Sequence, residues 1–504
     1  MTKQPHFDGS PCDLDATTAR RLIGQKALSP VELVQSCIER IEAVDHAVNA
    51  VVTRDFDKAL STARRMEDEV MSGAPLGPLH GLPIGIKDTA ETGGLRTTFG
   101  SVVFRDHMPQ KDEGFVARLR DAGGVVIGKT NVPEWAAGGN TRNPVFGATG
   151  NPFDTTKTAA GSSGGSAAAL ACGMMPLASG SDTGGSLRNP AAYCGIVGFR
   201  PTPGLIPSEK RGTAWLQVST LGPMARTVQD TALMLSVMAG RDGRDPLSPV
   251  WDDTPYSSAD WAAGPPAVDL SQLKVAVTTD FGFAPVETAI AGALKDKVAR
   301  FADLFGSVTE ATPDCSGADD IFAVLRAVAA LSMFEKMIEK HGDQIGPNIH
   351  ANVAEGLGYS ASDVSRALNE QTAYHRRWHA FFGDYDIVLA PAVTVSPRSW
   401  RELYPREIEG RETRSYYHWL ACAYATTIAG CPALSLPVGV DHHGMPFGLQ
   451  IVARRGADRF LLGVAHALES ALAGDPLTAR PLPKLDALTN ASPLNLSEGF
   501  YSWD

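Results

Sequence analysis

The sequence predicts an α/β sandwich around a central, largely buried sheet, and three observations carry that expectation. Short apolar runs alternate with helical repeats along most of the chain. The runs are nearly continuous in apolar residues, as in strands covered on both faces. Hydrophobic residues make up 43% and charged residues 20% of the 504, which allows a large core and lies far from the disordered class.

The first strong element is "SPVELVQSCIERIEAVD". Ser29 and Glu32 form a capping box, Pro30 sits in the first turn, and Val31, Val34, Ile38 and Ile41 recur at helical spacing. Next come "LPIGI", "VVIG" and "MPLASGS", read as strands, interleaved with "EGFVARLRDAGG" and "GGSAAALACG", read as helices. Further on, "LKVAVTT", "DIVLAPA", "ALSLPVG" and "GLQIVA" read as buried strands, with "RTVQDTALMLSVMAG" and "RFLLGVAHALESALA" as covering helices. The stretch from about Pro246 to Pro266, rich in Pro, Asp and Ser, reads as a surface connection. No internal repeat and no sharp boundary divides the chain.

Charge and cysteine usage exclude some classes of function. The chain carries 45 Lys and Arg against 56 Asp and Glu, a net charge of −11 with no long basic run, which argues against nucleic-acid binding. The opening "MTKQPHFDGSPCDLD" lacks the apolar core of a signal peptide, and no stretch reaches the ~20 apolar residues of a membrane span. The expectation is a soluble cytoplasmic protein. Seven scattered cysteines without a CxxC pair fit reduced thiols better than a disulfide framework or a zinc site.

Three motifs compete to explain the chemistry. "GGVVIGKT", Gly123 to Thr130, satisfies the phosphate-loop pattern, but a helix precedes it and Val125, Val126 and Ile127 favour strand, the reverse of the required context. "GSSGG", Gly161 to Gly165, satisfies the nucleophile-elbow pattern on Ser163, with His375, His418, His442 and His466 following it, yet the polar "FDTTKTA" stands where an apolar strand should precede. The third reading joins "GLPIGIKD", "AGSSGGSAAA" and "GSDTGGSLRNPAAYCG" and places Lys87, Ser162 75 residues later and Ser186 another 24 on. "DHH" at Asp441 to His443 could suggest a metal, but its neighbour Gly444 favours a solvated turn.

That third set resembles the amidase signature family. The resemblance extends to "GKTNVPEW", "GATGNPFD", "VGFRPTPG", "STLGPMARTVQD" and "PALSLPVGV", and so covers most of the chain. It implies a three-layer α/β/α sandwich around a large mixed β-sheet, one domain over 1–504, a signature core at about 80–230 and a helical pocket-covering region at about 319–417. That last region carries Phe322, Met333, Phe334, Met337, Tyr374, Trp378 and Trp400. Ala160, Arg200 and Asn189 depart from residues frequent in the family, and none is one of the three positions just named.

By the same resemblance Ser186 is the nucleophile, Ser162 a bridging serine in a cis peptide and Lys87 the base. The physical logic stands beside it. A serine hydroxyl needs a base within hydrogen-bond reach, and free lysine, with a pKa of about 10.4, must lose ~4 kcal/mol of preference for its charged form to be neutral near pH 7. Burial supplies shifts of that size, and Leu82, Ile84 and Ile86 deliver Lys87 from an apolar strand. Asp88 should then turn away from the amine. Backbone amides of Thr183, Gly184, Gly185 and Ser186 are expected to form the oxyanion hole, with Asp182 and Arg188 bracing the loop and Ser163 near the relay.

Taken singly, these features have plainer readings: a glycine-serine turn, a strand-end lysine, an ordinary ion pair. Taken together they predict a serine amidohydrolase that needs no metal or nucleotide and acts on small hydrophobic or aryl amides, with carbamates (urethanes) or esters as further options. It would act as a monomer or homodimer. The alternative is the glutaminase component of a tRNA-dependent amidotransferase complex.

Overall fold

A computed structural model describes residues 9–248 and 264–502. Most of the expected Pro246–Pro266 connection therefore lies outside the described residues. The described chain is organised by an eleven-stranded mixed sheet. From one edge the strands run Val51–Arg54, Val125–Thr130, Pro83–Lys87, Leu177–Asp182, Thr220–Ala225 and Val197–Arg200. They continue through Ala433–Val440, Pro446–Ala453, Ile387–Pro391 and Lys274–Val277 to Ser307–Glu310. Pro83–Lys87 pairs in parallel with both neighbours, whereas the five central pairings from Leu177–Asp182 to Ile387–Pro391 are antiparallel.

Every apolar run read as a strand is found in this sheet, for the expected reason. Pro83–Lys87, Ile387–Pro391 and Pro446–Ala453 are buried at every residue. Successive side chains leave opposite faces of a strand. Ile387 and Leu389 accordingly enter one apolar core while Val388 and Ala390 enter another. Two cores with a sheet between them make the three layers.

The first core is closed by the helix Pro30–Val48, whose Ser29–Glu32 capping box is formed, and by Val228–Met238 and Asp458–Leu472. The second is closed by Ala318–His341, Ala361–Phe381 and Ala421–Ala429.

Two features differ from the expectation. The 319–417 region is helical only to Phe381, and its strand Ile387–Pro391 belongs to the central sheet. Within it Tyr374, Trp378 and Trp400 are core residues at no more than 1% exposure, and Met333 is 46% exposed, so the aromatic content of this segment serves packing first. In addition, the polar run before Gly161 folds into two small hairpins, Arg142–Asn143 with Gly147–Ala148 and Gly150–Asn151 with Asp154–Thr158. Three of their four strands have only two residues, too short to show a period.

The helix Gly164–Ala171 starts against the backbone of Asn131, to whose carbonyl Gly165 N donates at 3.2 Å. A methyl group on Gly165 would lie 2.2 Å from Asn131 N and 2.8 Å from Ala50 O, all rigid main chain. Gly165→Ala is therefore expected to destabilise the fold by about 3 kcal/mol, read as a lowered melting temperature. An unchanged melting temperature would contradict this packing.

Candidate active site

Lys87 ends a fully buried strand and is itself 2% exposed. Its Nζ lies 2.7 Å from Ser162 Oγ, 2.8 Å from Ser181 Oγ and 3.0 Å from Ser163 Oγ. Burial strips the amine of water and lowers its pKa to about 7, against the opposing pull of the Asp182 carboxylate. A charged amine would donate to all three hydroxyls. A neutral one donates to two and accepts from the third, so the same cage accommodates both protonation states. Asp88 turns away, accepting from Thr98 N and Oγ1.

Ser162 follows a cis peptide bond from Gly161 and is fully buried. Gly161 is crowded by main chain, since a methyl group there would meet Gly138 O at 2.9 Å and Asn140 N at 3.1 Å. Ala160, where the sequence departs from glycine, adopts φ 59°, in the left-handed region, and its carbonyl accepts from Thr141 N and Oγ1. Ser163, the candidate elbow nucleophile, is fully buried with its hydroxyl on Lys87.

Ser186 is half-buried, and its hydroxyl makes no hydrogen bond with a described residue. Its carbonyl accepts from Ser163 N at 3.3 Å, which brings the backbones of the two serine loops together. No Ser186–Ser162 side-chain bond is formed, although catalytic hydrogen bonds often tighten only when substrate binds.

The loop that carries Ser186 is shaped by one carboxylate. Asp182 Oδ1 accepts from Gly185 N at 2.9 Å and Oδ2 from Leu187 N at 3.2 Å. Arg188 grips the same carboxylate through Nε at 3.0 Å and Nη2 at 2.9 Å. Arg200 Nη1 reaches both Asp182 Oδ1 and the Asp182 carbonyl. Burial by itself would raise the Asp182 pKa, but Arg188 and Arg200 outweigh it and hold the carboxyl well below the usual carboxylate range. Arg188 Nη1 also donates to Ala423 O, Thr426 Oγ1 and Gln450 Oε1, which ties the loop to the helix Ala421–Ala429 and the strand Pro446–Ala453.

This geometry corrects one expectation. Gly185 is expected among the oxyanion donors, but its N–H is directed onto Asp182. The amides of Thr183, Gly184 and Ser186 have no partner among the described residues and remain free to receive a developing negative charge. Two further residues escape the reading of the sequence. Ser181 completes the amine cage, and Ser179 Oγ accepts from Lys87 N at 3.0 Å. Period-2 alternation along "LASGSD" places both on one face of their strand, a signal present in the sequence.

The other motifs resolve as packing. Lys129 of "GGVVIGKT" lies within the strand Val125–Thr130, fully buried, and donates to Ala90 O, Thr92 Oγ1 and Thr97 Oγ1. Asp441 of "DHH" accepts from Ser396 Oγ, His443 N and Met445 N and closes a turn. Among the described residues no cluster of His, Cys, Asp and Glu could hold a metal ion, and no helix is long and apolar enough to cross a membrane.

The depressed Lys87 pKa has a consequence for stability. Between pH 7 and pH 10 the unfolded chain keeps a proton on this lysine that the folded protein releases, so stability rises with pH across that window. Wild type is expected to gain about 3 kcal/mol relative to Lys87→Met between pH 6 and pH 9, measured by denaturant unfolding at both. A difference independent of pH would mean that the amine stays charged.

Comparison with known proteins places this geometry in a family. The sequence profile described as Amidase matches residues 32–462. An acylamidase from Rhodococcus erythropolis is 34% identical over 460 residues, 91% of this chain and 95% of that protein. The A subunit of glutamyl-tRNA(Gln) amidotransferase from Picosynechococcus sp. is 31% identical over 473 residues, 89% of this chain and 96% of its own. The crystal structure of a bacterial aryl acylamidase of the amidase signature enzymes superposes with a TM-score of 0.83 at 28% identity, covering 92% of this chain and 96% of that one. The resemblance read from the three motifs thus extends through the whole fold, and the chain belongs to the amidase signature family of enzymes acting on carbon–nitrogen bonds.

Proposed function

We propose that the protein is a serine amidohydrolase in which Ser186 attacks an amide carbonyl, with Ser162 as relay and Lys87 as base. The observation that carries this reading is the Lys87 amine, buried, with a pKa near 7 and 2.7 Å from Ser162 Oγ. As the Ser186 Oγ–carbon bond forms, its proton passes to Ser162 Oγ while the Ser162 proton passes to Lys87 Nζ. The carbonyl oxygen takes the negative charge and is held by the amides of Thr183, Gly184 and Ser186. When the carbon–nitrogen bond breaks, the departing nitrogen takes a proton from Ser162, which regains one from Lys87. Water then attacks the acyl-enzyme by the same proton path and releases the acid.

For substrate, we favour small hydrophobic or aryl amides. The support is the likeness to an acylamidase and to an aryl acylamidase, together with Phe322 packed against Gly184. Carbamates and esters present the same carbonyl to the same groups. A second reading draws on the likeness to the amidotransferase protein, in which the chain would release ammonia from glutamine within a complex. Turnover of glutamine with none of an anilide, and elution in a larger assembly, would favour it.

Ser186→Ala is expected to lower anilide hydrolysis by about 10⁴-fold or more while leaving the melting temperature unchanged. Retained turnover in the folded variant would overturn the reading. kcat/KM is expected to rise with pH through about 7 as Lys87 loses its proton. A profile flat between pH 6 and pH 8 would remove Lys87 from the role of base.

A further inference from the structure

We propose that Phe322 sets the depth of the acyl pocket, so that the protein takes short acyl groups and carries substrate bulk on the amine side. This rests on the reading of Ser186 as nucleophile.

Phe322 lies near the start of the helix Ala318–His341 and is 1% exposed. A methyl group on Gly184 would stand 2.8 Å from Phe322 Cζ, and its three nearest neighbours all belong to that ring. The ring therefore closes the space beside an amide assigned to the carbonyl oxygen. One face of the ring, whose tip is what meets Gly184, stacks on Tyr424, with centroids 4.4 Å apart and planes within 8°, and Tyr417 meets it edge-on at 5.7 Å. Both tyrosines line a cleft of about 430 Å³, with Asn348, Asn352 and Ser415 among its other walls. Phe322 thus stands between Gly184 of the oxyanion loop and the two tyrosines that line the cleft.

Phe322 bears on one half of the substrate. The departing nitrogen must face Ser162, which supplies its proton, so the nitrogen lies on the Ser162 side of the carbonyl carbon. The acyl substituent, on the other side of the carbonyl carbon, meets Phe322. A short acyl group fits in front of the ring, whereas a long one collides with it. Shrinking the ring deepens the pocket toward Tyr417 and Tyr424, whose faces suit an aromatic terminus.

The test compares acetyl and 3-phenylpropanoyl p-nitroanilides, which share one leaving group, on wild type, Phe322→Leu and Phe322→Ala. The leucine variant keeps most of the buried volume and guards against loss of folding in the alanine variant. The 3-phenylpropanoyl-to-acetyl ratio of kcat/KM is expected to be below one in wild type, to rise at least tenfold in folded Phe322→Ala, and to rise to a smaller degree in Phe322→Leu. A ratio unchanged in Phe322→Leu, or activity lost equally on both substrates, would overturn the proposal and leave Phe322 a packing residue. Ser186→Ala in each background separates the two readings. If activity survives that change, the nucleophile assignment fails. If activity is abolished but the ratio does not respond to Phe322, only the pocket proposal fails.

Discussion

Desolvation of the Lys87 amine is the constraint from which the rest of the site follows. An amine deprived of water favours its neutral form, and no buried acid sits close enough to reverse that preference. Three serine hydroxyls replace the lost water because a hydroxyl both donates and accepts, so they solvate the amine whether or not it holds a proton. A carboxylate in the cage would have pinned the proton. Asp88, next in sequence, is accordingly turned onto Thr98, and Asp182 is neutralised by two guanidinium groups.

Asp182 supplies the second layer of control. One carboxylate accepts two loop amides and two arginines, which fixes the turn that presents Ser186 and the free amides beside it. Such a buried ion pair is costly to break, about 3–5 kcal/mol when one partner is removed. The loop is therefore held by the sheet on one side and by the helix Ala421–Ala429 on the other. A preorganised loop does not need to rearrange as charge develops, which is the condition under which oxyanion donors are most effective.

Much of this is legible in the sequence, unevenly and for physical reasons. The strands around "LPIGI" and "GLQIVA" declare themselves because both faces are buried and the residues of these runs are nearly all apolar, with Gln450 the one polar side chain in the two. The helix Pro30–Val48 does so through its capping box. Lys87, Ser162 and Ser186 follow from motif order and interval, and the structure brings the first two into contact. Gly185 misleads because the direction of an N–H depends on loop dihedrals that composition does not encode. Arg200 stands out in the sequence only as a departure, although it grips Asp182. Tyr374 and Trp378, on the helix Ala361–Phe381, and Trp400 in a turn fill the core of a segment expected to cover the pocket, because an aromatic residue in a covering helix has the same spacing whether it faces substrate or sheet.

The central claim is that Lys87 is neutral at the pH where the enzyme works. The most direct measurement is nitrogen NMR of protein labelled at lysine Nζ, with the Lys87 signal assigned by its loss in Lys87→Arg. One lysine nitrogen is expected to titrate near pH 7, well below the ordinary value of about 10.4. A Lys87 signal that stays in the ammonium position through pH 9 would contradict the claim.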